Sequence, residues 1–227
     1  MALLGNAAMI LSFDVVPEAV AEHDDWHSRE HLRERMSIPG FLRGSRWTAT
    51  GPGPRYFVMY EVAGLDTLAS PPYLERLNNP SAWTARMMPH YRGMRRGFCR
   101  VAFSRGPGLG TSGLLIHFSP DPGQETALRD WLVAQALPAS ADRPGVASAH
   151  LFEAALTPEM TREQRIRGKD GGVDWVLLVT GHAEAAIEEL AATALAPEAL
   201  TARGGINVAA GRYRMGHALS AQEAATD

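Results

Sequence analysis

The chain has 227 residues, a formal net charge of −3 and a single cysteine, with 45% hydrophobic and 21% charged residues. These values fit a soluble globular protein of one large or two small domains. They exclude an internal disulfide framework, give no basis for a nucleic-acid or membrane-surface partner, and leave no apolar run of about 18 residues for a membrane span.

The first residues, MALLGNAAMILSFDVV, lack a basic n-region and are interrupted by Asp14. No signal peptide is expected, and a lone Cys99 suits a reducing, cytoplasmic compartment. Residues 8–15 read as a strand. Pro17 opens a helix that runs to about Met36, since proline is tolerated in a first helical turn. The turn at Ile38, Pro39 and Gly40 leads into a second strand, 41–50. Gly51-Pro52-Gly53-Pro54 is a strong turn, and 55–62 is a third strand. Residues 65–77 read as a helix interrupted at Ser70-Pro71-Pro72, followed by a short helix at 81–88. A fourth strand spans 94–104. The order is then renewed: strand 113–119, helix 122–137, strand 145–155, a polar loop 157–172, strand 173–181, helix 183–194 and strand 205–217, with a frayed tail from 219.

The two halves align without a gap over their first parts, at an offset of 105. Phe13 matches Phe118, Pro17 matches Pro122, Trp26 matches Trp131, Pro39 matches Pro144 and Gly40 matches Gly145. An internal duplication is the natural reading. The fold class expected is α+β: two tandem ferredoxin-like β-α-β-β-α-β modules, 1–105 and 110–218, joined by a Gly/Pro linker and followed by a tail, 219–227. Each module would leave one sheet face bare, so the two sheets pack together as an intrachain α/β barrel.

The duplication provides an internal control on the first helix. At about 100° per residue, Val16, Ala19, Val20, His23, Trp26, His27, Glu30 and His31 share one stripe. From His23 onward the matched residues are Leu128, Trp131, Leu132, Gln135 and Ala136, an ordinary core face. The polar groups of the first helix are therefore not demanded by the architecture. His27 and His31, four apart, with Glu30 between them, permit three readings: acid–base chemistry with Glu30 orienting a histidine, a metal site with His90 as a third ligand, or buried histidines bonded to backbone carbonyls. His90 and Arg92 could form a second polar wall, with Arg92 or Arg95 receiving an anion. Trp47, Tyr56, Tyr60 and Trp83 are aromatic candidates for a pocket lining. Cys99 has no paired base and reads as structural. There is no Gly-rich phosphate loop, G-x-S-x-G elbow, CxxC or HExxH pattern.

The segments WHSREHLRERMSIPGFLRGSRW, PRYFVMYEV and NPSAWTARMMPHYRGMRR resemble a group of bacterial proteins in the dimeric α/β-barrel superfamily. The matched motif is Trp26, Glu30, His31 and Leu32, with His27 where an aromatic is common and Arg33 where proline is common. The resemblance implies a barrel of two ferredoxin-like sheets within one chain. Relatives include cofactor-free monooxygenases, muconolactone-type isomerases, and haem-dependent peroxidases and chlorite dismutases, and fold does not choose among them.

The function expected is a small-molecule enzyme of catabolic or secondary metabolism, an isomerase or a cofactor-free monooxygenase. His31 would be its acid–base group and Glu30 the orienter. His23, Trp26, His27, His90 and Arg92 would contact substrate. No metal and no cofactor are expected. The partner is a small molecule, without nucleic acid or membrane, and pairing of tandem chains into a homodimer stays open. The alternative is a non-catalytic ligand-binding barrel protein.

Overall fold

The structure, a computed structural model, describes residues 2–156, 161–168 and 170–226. In the first half, strand β1 (Ala7–Val15) leads into a helical segment of four pieces. These are a 3-10 turn (Pro17–Ala19), α1 (Val20–Trp26), a π turn (His27–His31) and α2 (Leu32–Met36). β2 (Phe41–Ala49) and β3 (Tyr56–Val62) follow, then α3 (Pro71–Asn78), α4 (Ala82–Met87) and the long β4 (Tyr91–Arg105). The second half holds β5 (Ser112–Pro120), α5 (Glu125–Trp131), a π turn (Leu132–Ala136), α6 (Leu137–Ala141) and β6 (Val146–Leu156). It continues with α7 (Arg162–Arg167), β7 (Gly171–Gly172), β8 (Trp175–Gly181), α8 (Glu184–Ala192), α9 (Pro197–Thr201), β9 (Gly205–Ser220) and α10 (Ala221–Ala224).

Eight strands close into an antiparallel barrel in the order β1-β3-β2-β9-β5-β8-β6-β4, with β4 returning to β1. β7 adds a two-residue parallel step beside β4, at Arg95 and Arg96. Closure removes the sheet edges that would otherwise invite pairing with other chains. Side chains alternate along each strand. On β1, Ala8 and Ile10 point into the barrel with Trp47, Phe57, Met59, Phe152 and Leu178. Met9, Leu11 and Phe13 point outward, against Trp26 and Leu32 of the first helical segment. A matching outer layer packs Leu128 and Leu132 on β5 and β8. Burying each such Leu or Phe contributes about 1.5–3 kcal/mol.

The two π turns lie 105 residues apart, at the end of equivalent helices. The turns that follow them match too. Gly40 (φ 90°) and Gly145 (φ 87°) both take the left-handed conformation. A side chain on Gly40 would meet Thr67 at 2.6 Å, and one on Gly145 would meet Ala183 at 2.7 Å.

Several expected boundaries move. The expected helix at 65–77 divides into a 3-10 turn (Leu65–Ala69) and α3, because Pro71 and Pro72 fit a first turn but cannot continue a helix. The polar loop expected at 157–172 contains α7, started by a capping box between Thr161 and Gln164; residues 157–160 and 169 of it lie outside the described residues. The tail is not frayed at 219: β9 runs on to Ser220, and Leu219 and Ala224 pack on the first helical layer. A Ser220–Glu223 capping box starts α10 there. Among the described residues, no helix is long and apolar enough to cross a membrane.

Candidate functional site

The first helical segment lines up four polar side chains. His23, His27 and His31 have ring centroids 5.6 and 5.5 Å apart in succession, and Arg35 continues the row. In a regular α-helix, residues four apart drift by about 40° per step. The π turn adds a residue to one turn, which offsets that drift and keeps the row facing the sheet. All four are buried. Their counterparts in the second half, Leu128, Leu132, Ala136 and Ser140, sit on a helix with the same π turn. The π turn is thus part of the architecture, whereas the polar row is particular to the first half.

His27 and His31 open onto a cavity between this helix and its sheet, with a free volume of about 30 Å³. That is room for one or two water molecules. Met9, Leu11, Val58 and Tyr60 form the sheet wall, Tyr73, Leu77 and Met88 a side wall, and Tyr91, Met94 and Arg96 of β4 the next. Glu163 and Arg167 of α7 cover it, so a second-half segment completes a first-half cavity. A surface pocket of about 280 Å³ shares Tyr91, Met94 and Arg167 with the cavity and adds Arg95 and Asp170.

The hydrogen bonds divide the histidines. His23 Nε2 lies 3.2 Å from the Tyr91 hydroxyl, and its Nδ1 lies 3.5 Å from Asp24 Oδ1. His27 Nε2 lies 3.3 Å from the Tyr60 hydroxyl, while its Nδ1 is buried without a partner. Nδ1 of His31 is likewise buried and unpartnered, and the ring stacks on Trp26 at 4.4 Å. Burial, reinforced by the charges of His23 and Arg46, holds His27 well below the ordinary histidine value of 6.5. Burial and Arg35 do the same for His31. Both rings are neutral at pH 7, and each keeps a lone pair to accept a proton. Burial pushes Tyr60 and Tyr91 up, so both remain hydroxyl donors.

The charged side of the cavity is unevenly satisfied. Arg35 Nη2 donates to Glu163 Oε2 at 2.7 Å, with both side chains almost fully buried. Arg167 forks onto Asp170 at 2.7 and 3.0 Å. Arg96 makes no such bond: its Nε and Nη2 are buried without a hydrogen-bond partner, although Asp170 Oδ2 lies 3.3 Å from Nε. Burial lowers the Arg96 pKa.

Of the residues expected at the site, His27 and His31 line the cavity. His23 and Trp26 are buried beside it; Trp26 Nε1 donates to Thr84 at 3.3 Å. Glu30 turns away from the histidines: its Oε1 accepts from Ser81 at 2.5 Å, and Ser81 caps α4. Arg92 is exposed and donates to the carbonyls of Pro89 and Tyr91 at 2.7 Å. His90 is half-buried, and its carbonyl accepts from Val16. Neither His90 nor Arg92 reaches the cavity. A bulge explains the exchange of Arg92 for Arg96. Gly93 (φ 58°) adds a residue to β4 opposite a register shift between Ser12 and Asp14 of β1. The positions facing the helical layer then fall on Tyr91, Met94 and Arg96.

Of the aromatic candidates only Tyr60 lines the cavity; Trp47 is in the barrel interior. Cys99 is buried there too, its thiol pushed up to about 12 by burial. Arg35, Tyr73, Arg96, Glu163 and Arg167 are cavity residues that the sequence reading missed. Among the described residues, no group of three or more His, Cys, Asp or Glu side chains is arranged to hold a metal ion.

No protein-family model matches the chain, and no curated protein matches it in sequence. Solved structures do. An anthrone oxidase-like protein superposes with a TM-score of 0.69 at 14% identity, covering 99% of this chain and 97% of its own. A candidate monooxygenase from Fusobacterium nucleatum gives 0.64 at 7% identity, with 96% of each chain covered. A haem-binding protein from Thermus thermophilus gives 0.54 at 11% identity, covering 98% and 95%. At these identities the likeness is one of fold, the mixed α+β barrel with eight closed antiparallel strands. The names span several activities, as expected when one fold hosts many sites. Haem does not fit the first-half cavity at its present volume. A groove of about 540 Å³ on the second half is wider, but its lining of Trp131, Gln135, Arg143, Arg203, Leu190, Ser140 and alanines holds no His, Cys or Tyr to ligate iron.

Proposed function

We propose that this protein is a small-molecule enzyme whose site is the cavity between the first helical segment and its sheet, with His31 as the proton-transfer group. The observation that carries this is the contrast between the two helices. The same helix, with the same π turn, is built once with His23, His27 and His31 and once with Leu128, Leu132 and Ala136. A buried polar group without a partner costs about 1–3 kcal/mol, and His27 and His31 each carry one. The fold has no need of that cost.

Proton abstraction from an acidic C–H is the chemistry this set supports. A neutral His31 takes the proton. Tyr60, kept protonated by burial, donates toward the oxygen on which negative charge develops. His27, within 3.3 Å of Tyr60, orients that hydroxyl. An isomerisation and a cofactor-free oxygenation both begin with this step. Glu30 acts from a distance, by fixing α4 through Ser81. We further read the chain as two tandem ferredoxin-like modules, 1–105 and 110–218. The strand orders β4-β1-β3-β2 and β9-β5-β8-β6 support this, since each is the same order counted within its half. A ligand-binding barrel without turnover is the second reading, favoured by the small volume beside His31.

The test is solvent exchange, which requires no knowledge of the product. Enolisable ketones, oxo acids and lactones are incubated with the protein in D2O, and deuterium uptake at carbon is followed by NMR. The expected result is catalysed exchange with at least one class, lowered about 10²–10⁴-fold in His31→Gln. Exchange that is equal in wild type and His31→Gln contradicts the assignment. Saturable binding with no exchange in any class selects the second reading.

A further inference from the structure

Resting on the cavity as the ligand site, we propose that the ligand is a small organic carboxylate whose anionic head is bound by Arg96. The first observation is the imbalance of buried charge. Three guanidinium groups, Arg35, Arg96 and Arg167, meet two buried carboxylates, Glu163 and Asp170. Each carboxylate is already engaged, Glu163 by Arg35 and Asp170 by the Arg167 fork. Glu34, on the rim, is shared between Arg35 and the half-exposed Arg76. Arg96 is left over.

The second observation is that Arg96 is aimed at the cavity with its donors unused. Its side chain is 4% exposed, it lines the cavity, and its Nε and Nη2 have no hydrogen-bond partner. A buried charge is normally paired and hydrogen-bonded. A guanidinium edge whose two N–H groups make no hydrogen bond matches the two oxygens of a carboxylate in geometry and charge. The Phe98 ring beneath it, 5.1 Å from the guanidinium carbon, holds the plane in place.

The volumes divide the ligand. About 30 Å³ inside is room for a head group of a few heavy atoms. About 280 Å³ outside, in the pocket that shares Tyr91, Met94 and Arg167 with the cavity, is room for an organic body of ring size. Arg95 and Arg167 on that outer pocket give the approach a positive lining, interrupted by Asp170. A monoanion balances the cluster; a dianion overshoots it.

Calorimetric titration and thermal shift test this with formate, acetate and benzoate, each against its neutral amide. Wild type is expected to bind at least one carboxylate saturably and to ignore the amides. Arg96→Gln is expected to weaken that binding at least tenfold. Asp170 keeps the Arg167 fork when Arg96 is replaced, so the melting temperature of Arg96→Gln without ligand is expected to stay close to that of wild type. Binding by none of the carboxylates, equal binding of amide and carboxylate, or undiminished binding in Arg96→Gln overturns the proposal. A lower ligand-free melting temperature in Arg96→Gln, with Arg96→Lys restoring stability but not affinity, also overturns it, in favour of a structural role. Carboxylate binding through Arg96 without deuterium exchange sinks the acid–base reading alone. Exchange of neutral lactones without carboxylate binding sinks this proposal alone.

Discussion

Arg35, at the end of the first helical row, and Glu163, on the helix that covers the cavity, are joined at 2.7 Å across 128 residues of chain. Both side chains are more than nine-tenths buried. Despite the cost of burying Arg35, the Glu163 carboxylate keeps it firmly charged. Removing one partner of such a pair strands the other. Arg35→Met or Glu163→Gln is therefore expected to cost about 3–5 kcal/mol in urea unfolding. Replacing both with apolar residues should recover most of that. Single variants within about 0.5 kcal/mol of wild type would show that the pair is not coupled.

The buried histidines set an acid limit. His117 is lowered to about 4 and His150 to about 3, both by burial, and His23, His27 and His31 are lowered for the same first reason. Below the ordinary value of 6.5 the unfolded chain binds protons that the folded chain refuses. Stability is therefore full above about pH 6.5 and falls with acid until the folded-state values are reached. Each histidine adds a slope of up to about 1.4 kcal/mol per pH unit. Denaturation midpoints measured from pH 7.5 to 4.5 should fall, and His27→Leu should flatten the curve. A flat wild-type curve would contradict the burial of neutral rings.

Much of this was legible in the sequence and some was not, for identifiable reasons. The strands were readable because both faces of a barrel strand are apolar, and the punctuation at Pro39-Gly40 and Pro144-Gly145 fixes matching turns. His27 and His31 stood out because Leu132 and Ala136 supplied a comparison. The π turn leaves no compositional trace, so a regular wheel rotated Arg35 out of the stripe. In sequence Arg92 reads as lying before a strand that starts at 94, whereas the strand starts at Tyr91 and the bulge at Gly93 leaves Arg92 exposed and puts Arg96 at the cavity. Glu163 and Arg167 were hidden in a polar insertion whose destination is a tertiary contact.

The second half provides its own substitutes for the first. His23→Leu, His27→Leu and His31→Ala together copy the residues at 128, 132 and 136. The triple variant is expected to fold with an unchanged circular dichroism spectrum and to lose deuterium exchange. Tyr60 and Tyr91 lose hydroxyl partners in it, at about 1–3 kcal/mol each, and Tyr60→Phe with Tyr91→Phe should recover that loss. A triple variant that does not fold, even with both phenylalanines, would make the histidines architectural.

Glu30 and Ser81 should separate from the chemistry. Ser81 caps α4 by accepting from Thr84 N at 3.0 Å. Ser81→Ala is expected to cost about 1 kcal/mol. Glu30→Gln should lower exchange far less than His31→Gln does. Equal losses in the two variants would restore Glu30 as a direct partner of the histidine.

As the proposed base, His31 is a neutral, buried ring facing a ligand cavity, and long-range ¹H–¹⁵N NMR of the histidine rings tests this. Neutral-ring nitrogen shifts are expected for His27 and His31 through the ordinary histidine titration near 6.5, with movement of the His31 resonances when a bound carboxylate fills the cavity. A His31 ring that titrates near 6.5 and does not respond to any ligand would contradict it.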